Sequence, residues 1–404
     1  MDANVSTINV KVGGSTALST DTRESLETRA GNGIVSVSVD LRLDQPDLFS
    51  VEYDMMKLER IQLLDTFSPG MEVEISMGLE KQEVLCVGEI SYIEPSFDVE
   101  RGFHTTISGY HKLHRLTRGQ RSRTWGEGLD PETLATTPAK EVINSAKSQV
   151  GAQSDALSTG NVGSSQLKHK YVPQLNMSDF EFLQALGASL EWKAAAENKG
   201  TVGFRQPDPT STPVLTVSFD RSGQAGSDAN KPSGGQGAGG QAQGAQENTV
   251  SYLHLDFRLS TVQQYAAVEV RSWDPDRKQR IVAKKTSSTY QFEANTPGHA
   301  DTGKGLYGVA SAGRKYIVVD QPVDSQAEAD ALAQSLFDQF AMDFLTGELV
   351  VEGNPVLVPG KTIAFSGFGK AYSGKYLITA ATHSYRPDEG YRTTVAFARN
   401  AKAS

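Results

Sequence analysis

At 404 residues the chain is long enough for two to four domains with cores of their own. Hydrophobic residues make up 38%, charged residues 22%, and the net charge is −9; an acidic surface repels phosphate backbones, which argues against nucleic-acid binding. No apolar run approaches the roughly eighteen residues of a membrane span, and Met1-Asp2-Ala3-Asn4 opens no basic-then-apolar leader, so neither membrane insertion nor a secretory signal is expected.

Phe67-Ser68-Pro69-Gly70 sets a tight turn before a strand alternating through Val73 and Ile75 to Ser76 and Gly78. The strand-like run Glu83 to Ile90 carries the single cysteine, Cys86, which reads as a buried, inert thiol in a chain assembled in a reducing compartment. Arg101-Gly102-Phe103-His104-Thr105-Thr106-Ile107 is a turn feeding a Thr-rich strand. Thr137-Pro138 opens a helix with Val142, Ile143, Ala146 and Val150 on one side, closed by Gly151. Ser178-Asp179-Phe180-Glu181 is a capping box with Met177 and Phe182 placed as its staple, and Leu183 and Leu186 extend the apolar stripe.

Residues Ser222 to Asn248 are dominated by Gly, Gln, Ala and Ser and cannot bury enough surface to order themselves. They form either a loop between the strand-like runs Val214 to Val217 and Val250 to Leu253, or a linker. A last helix starts at Ser325-Gln326-Ala327-Glu328, a second capping box. Its stripe runs through Ala329, Leu332, Ala333, Leu336, Phe337, Phe340 and Phe344, and Gly347 is expected to end it.

The late sequence repeats the early one. Leu357-Val358-Pro359-Gly360 with Ile363, Phe365 and Ser366 follows the pattern of Phe67 to Ser76, and Glu389-Gly390-Tyr391-Arg392-Thr393-Thr394-Val395 that of Arg101 to Ile107. Gly88 is paired in this reading with Gly374, which precedes Tyr376-Leu377-Ile378. Matches in order at a near-constant offset indicate a duplicated β domain, a small barrel or sandwich.

No catalytic constellation emerges: there is no phosphate-cradling glycine loop, no His-Glu-x-x-His and no Cys-x-x-Cys. His104, His111 and His114 are the nearest approach to a metal cluster, but no further ligand is visible, so packing or surface roles are preferred. His383, just after a strand, lacks a nearby nucleophile to serve as a base. Asp274 and Asp276 alternate as calcium ligands would, yet Pro275, Arg277 and Lys278 favour a turn. No catalytic, cofactor-binding or metal residue is therefore assigned.

The strand and turn Val268-Glu269-Val270-Arg271-Ser272-Trp273-Asp274-Pro275 resembles the Val-Arg-Gly-Trp-Asp-Pro signature of the phage late control D family, whose members include the hub portion of VgrG proteins. Gln174-Leu175-Asn176-Met177-Ser178-Asp179-Phe180-Glu181-Phe182-Leu183 looks like that family's helix start, and Gly353 to Gly360 like its Pro-Gly turn. The closing runs Gly374 to His383 and Gly390 to Arg399 look like its last strands. Ser272 departs from the family's glycine, and the 222–248 segment is an insertion.

The resemblance implies an α+β, mainly β fold: two tube-protein-like β-barrel domains from an internal duplication, with inserted α/β segments. The expected division is a first barrel over 1–116, an inserted α+β domain over 117–221 and the loop or linker 222–248. A second inserted β segment over 249–322 and a helix plus second barrel over 323–404 complete it. It further implies a non-enzymatic baseplate or spike hub of a contractile injection particle: a homotrimer adapting a hexameric inner tube protein to a spike, beside baseplate wedge components. Assembly in a bacterial cytoplasm is expected, as a component of a phage-tail-like particle open to release outside the cell. Only Asn400 to Ser404 follow the last strand, so the needle is expected on a separate chain. The competing readings are a receptor- or glycan-binding tail protein and a β-rich hydrolase.

Overall fold

The computed structural model describes residues 7–13, 28–29, 33–56, 67–79, 81–125, 158–163, 172–197, 200–219, 252–290, 292, 314–321 and 323–401. The expected helix at 137–150 and the 222–248 segment lie outside them.

The first repeat holds β1 (Thr7–Val12), β2 (Thr28–Arg29), β3 (Ile34–Arg42), β4 (Leu48–Asp54), β5 (Glu72–Gly78), β6 (Glu83–Asp98) and β7 (Gly102–His111), then a 3-10 turn at Lys112–Thr117. Next come β8 (Arg121–Trp125), β9 (Ser158–Val162), β10 (Val172–Met177), helix α1 (Asp179–Ala188), β11 (Lys193–Glu197), β12 (Thr201–Arg205), β13 (Leu215–Ser218) and β14 (Tyr252–Leu259). The remainder is β15 (Ala267–Asp274), β16 (Gln279–Lys285), β17 (Lys315–Val318), helix α2 (Gln326–Met342), β18 (Leu345–Glu352), β19 (Thr362–Ser366), β20 (Gly374–Arg386) and β21 (Gly390–Arg399).

Both repeats belong to one continuous sheet, ordered β14-β18-β21-β20-β3-β4-β7-β6-β5-β1-β2, with β19 on β20 and β13 on β19. Each repeat has a core of its own. The first gathers Val39, Phe49, Val51, Tyr53, Ile75 and Ile107; the second gathers Leu345, Leu349, Phe365, Tyr376, Val395 and Phe397.

The duplication holds down to single hydrogen bonds. Gly70 donates its N–H to the Ile90 carbonyl at 2.7 Å and Ile90 donates to Met71 at 2.9 Å; Gly360 donates to Ile378 and Ile378 to Lys361, both at 2.9 Å. Gly70 (φ +86°) and Gly360 (φ +81°) take the left-handed backbone that the two Pro-Gly turns require. Irregularities recur as well. The β6–β7 register slips between Ile90 and Tyr92, and the β20–β21 register between Ile378 and Ala380. Similarly β3–β4 skips from Ile34↔Tyr53 to Ser36↔Glu52, and β14–β18 from Tyr252↔Val351 to His254↔Val350. Bulges are positional features, so their recurrence marks common architecture.

These registers correct the sequence reading in two places. Strands β13 and β14 pair with β19 and β18 of the second repeat, so that repeat draws on residues placed by the sequence in the inserted segments. Gly88, opposite Val73, corresponds to Tyr376, opposite Ile363, and not to Gly374.

The second correction exposes an exchange of bulk. In the first repeat Phe49 faces Gly109 across the ladder, and a Cβ on Gly109 or Gly88 would meet the Phe49 ring at 2.9 or 2.8 Å. In the second repeat Gly347 faces Phe397, and a Cβ on Gly347 would meet that ring at 2.5 Å. The aromatic ring and the glycine have traded strands. Gly347 thus lies in β18 and does not end the helix. Helix α2 stops at Met342, because Phe344 and Leu345 continue the apolar pattern as a strand entry.

Two smaller units flank the repeats. Helix α1 packs Phe182, Leu183 and Leu186 with Trp125, Trp192 and Phe204. Its capping box is complete: Glu181 donates its N–H to Ser178 Oγ at 3.2 Å, and Ser178 donates its N–H to Glu181 Oε2 at 2.7 Å. Helix α2 packs Leu332 and Phe337 on Val268, Val270 and Ile281. Only half of its expected box forms, since Glu328 takes the N–H of Asp324 (2.8 Å) and not of Ser325.

Candidate functional site

The side chains that invited a chemical reading sit apart and serve packing. Cys86 is 2% exposed, and burial, with the Asp47 charge, pushes its thiol well above the usual range. His111 caps the 3-10 turn, its Nδ1 accepting from Leu113 N–H at 3.0 Å; burial and the neighbouring Lys112 charge drop its pKa to about 4. His114 stacks on Tyr110 with ring centroids 4.5 Å apart, and His104 Nε2 bonds the Arg101 carbonyl at 2.8 Å. No group of three or more His, Cys, Asp or Glu residues among the described residues could hold a metal ion. Asp274 Oδ1 accepts the N–H groups of Asp276 and Arg277, both at 3.0 Å, closing the β15–β16 turn. Ser272 donates its hydroxyl to the Val323 carbonyl at 3.0 Å.

The motif around Gln174 is likewise structural. Gln174, fully buried, donates to Asp179 Oδ1 at 2.9 Å and accepts from Arg123 at 2.7 Å, while Asn176 takes a left-handed φ of +50° that asparagine tolerates.

A cavity of about 610 Å³ lies between α1, α2 and the β3–β20 junction. At its wall Glu191, with a left-handed φ of +55°, meets Asp338, and Gln206 donates to Glu191 Oε2 at 3.1 Å. Asp338 accepts from Thr289 N–H (2.8 Å), Thr289 Oγ1 (2.6 Å) and Gln334 (2.9 Å). Burial first, then the Asp338 charge, raises Glu191 to about 8. A carboxyl raised by folding stabilises fully below its unfolded value and loses that contribution as pH rises through its folded value. His383 and His111, lowered to about 4, work oppositely and finish titrating in the unfolded chain near pH 6.5. Between pH 6.5 and 8 the carboxyls therefore dominate, Asp47 (about 7) included. The urea midpoint should fall over that interval, and Glu191→Gln should make the fall shallower. An unchanged slope in the variant would show that Glu191 does not titrate in this interval.

No local motif announces the junction between repeats. There β20 pairs antiparallel with β3, from Ala380↔Arg42 to Tyr385↔Val37, and Thr382 donates to Asp40 Oδ1 at 2.6 Å. Tyr385 and Tyr391, from the far end of the β20–β21 hairpin, pack into the core of the first repeat. His383, fully buried, pins this hairpin to the Gly353 to Gly360 turn. Its Nε2 donates to the Leu357 carbonyl at 3.1 Å, and its Nδ1 accepts from the Tyr391 hydroxyl at 2.8 Å. Burial holds the imidazole neutral, so it is a structural bolt and not an accessible base.

No curated protein matches the chain. Residues 241–386, less than half of it, match the family described as the Alg8 N-terminal domain. Solved structures match over its whole length. The 43 kDa tail protein of prophage MuSo2 from Shewanella oneidensis superposes with a TM-score of 0.63 at 14% identity, covering 98% of each chain. The tail protein of Neisseria meningitidis MC58 gives 0.62 at 13% identity, covering 98% of this chain and 97% of that one. An E. coli component of the type VI secretion system, described as structurally similar to bacteriophage T4 tail proteins, gives 0.50 at 9% identity, over 96% of this chain and 76% of that one. The described residues hold no helix long and apolar enough to cross a membrane. The fold is mainly β with α+β insertions, and it is the fold of phage tail proteins.

Proposed function

We propose that the chain is the structural hub of a contractile injection particle, of the late control D kind, assembling as a homotrimer between a hexameric inner tube and a separate spike. The observation that carries this reading is the register-for-register duplication. One chain presents two like units in one sheet, so three chains present six, which is the match a trimeric spike needs to a six-fold tube. The likeness of fold to phage tail proteins supports the same reading. A non-enzymatic role agrees with the engagement of Cys86, His111, His383 and Asp274 in packing and turns. Baseplate wedge proteins are the remaining partners of this reading, with assembly in a bacterial cytoplasm. Light scattering of the purified chain at micromolar concentration is expected to give the mass of three chains. A clean monomer would count against the hub.

A further inference from the structure

The β3–β20 junction is a template with an unused counterpart. By the registers above, β20 over Ala380 to Tyr385 corresponds to β6 over Tyr92 to Phe97, and β3 from Ile34 corresponds to β14 from Tyr252. The first pair is joined within the chain. The second is not: among the described residues β6 over Tyr92 to Phe97 pairs only with β7, and β14 only with β18.

Burial records the difference position by position. Ile34, Val37, Val39 and Leu41 are buried in β3, whereas their counterparts Tyr252, Leu255, Phe257 and Leu259 are only half-buried. Each residue of β14 is one class more exposed than its counterpart in β3. On the other strand Tyr385 is 8% exposed, while its counterpart Phe97 is 71% exposed and stacks on Phe103 at 4.4 Å. Phe103 is itself the counterpart of Tyr391. One copy of the joint is covered and the other is bare.

We propose that the bare surfaces belong together: β6 over Tyr92 to Phe97 pairs antiparallel with β14 of a second copy of this chain, running from Tyr92 opposite Ser260 to Phe97 opposite Leu255. The contact is head-to-tail, joining the first repeat of one chain to the second repeat of the next, and such contacts give rings where the rotation closes and open filaments where it does not. That the ring closes at three rests on the hub reading. The register places Glu94 opposite Arg258, both exposed, where the internal joint holds Thr382 against Asp40. Opposite charges facing each other across a ladder favour this register. Phe97 then covers the second core of the neighbour as Tyr385 covers the first.

Pro95 fits the scheme at a cost. Met55 donates to the Phe103 carbonyl, so odd residues of β7 point their polar groups at β4. Pro95, opposite Thr105, therefore turns its backbone to the open side. The joint loses one ladder bond there, and in the free chain the proline blunts an edge that would otherwise recruit other strands. Glu94 and Arg258 fall at a non-hydrogen-bonded position, where facing side chains approach most closely.

The test is the double variant Glu94→Cys/Arg258→Cys, oxidised mildly and run on a non-reducing gel beside each single variant, with light scattering of the same samples. Circular dichroism checks the fold, and buried Cys86 offers no competing thiol. Disulfide-linked chains that need both cysteines are expected, closing at three. Linked chains that close at another number, or do not close, keep the joint and overturn the trimer. Unlinked chains that scatter as trimers overturn the joint and keep the trimer. Unlinked monomers overturn both.

Discussion

Phe397→Gly should lower the unfolding free energy by about 3–5 kcal/mol, and Gly347→Phe by at least about 1–3 kcal/mol. The double variant should be more stable than the sum of the two by at least ~1 kcal/mol. The reasoning is the traded bulk of the two repeats. Phe397 is 1% exposed and sits against Phe257, Phe365 and Tyr376 with ring centroids 4.8 to 5.5 Å apart, so its removal opens a cavity no neighbour fills. A ring at 347 collides with Phe397, and that clash disappears when 397 becomes glycine. Recovery is partial, because a Cβ at 347 also meets the Asp256 carbonyl oxygen at 2.2 Å, which the second substitution does not move. Urea unfolding of the four proteins gives the coupling. Strict additivity would mean that the two positions do not share space.

Glu89→Ala should cost about 3–5 kcal/mol, whereas Glu89→Leu combined with Arg115→Met should cost far less. Glu89 and Arg115 are both under 10% exposed; Arg115 Nε donates to Glu89 Oε1 at 2.9 Å, and Arg118 reaches Oε2 at 3.2 Å. Removing the carboxylate alone takes the counter-charge from a buried guanidinium, while the apolar pair removes both desolvation penalties. Burial alone would raise the Glu89 pKa, but the Arg115 hydrogen bond and the charges of Arg115, Arg118 and Lys112 outweigh it and hold it below the usual carboxylate range. Its contribution is thus present above the unfolded value and lost as pH falls through the lowered folded one, a loss absent from the double variant. At the corresponding position of the second repeat Leu377 opposes Thr362, where Glu89 opposes Glu72 in the first. The ions serve the exit of β7 into the 3-10 turn, where Lys112 Nζ also meets Glu72 at 2.5 Å. A loss below about 1 kcal/mol for Glu89→Ala would put the pair among ordinary surface contacts.

The repeat was legible because its turns are chemically explicit. Gly70, Gly102, Gly360 and Gly390 all take left-handed backbone, and only a few residues can. The capping box at Ser178 was legible for the same reason, being a local hydrogen-bond pattern. What failed was non-local. Strand β14 reaches its partner β18 across the whole β15–α2 unit, and nothing in Tyr252 to Leu259 names that partner. The true counterpart of Gly88 is hidden, because exchanged bulk between facing strands masks an equivalence that shows only when both strands are seen. The Glu191–Asp338 contact unites residues from α1's exit and α2, each unremarkable alone. The junction at Thr382 and Asp40 escaped for the same cause.

The traded ring and glycine also bear on how the chain finds its fold. Tandem copies of one unit are prone to exchange strands during folding, because each strand finds two nearly equivalent partners. Here β4 cannot stand in for β18 beside β21, since Phe49 would then face Phe397. Nor can β18 replace β4 beside β7, since Gly347 would face Gly109 and leave the space unfilled. Divergence of two side chains per ladder thus proofreads the pairing, and a chain made of repeats folds as though its halves were unrelated.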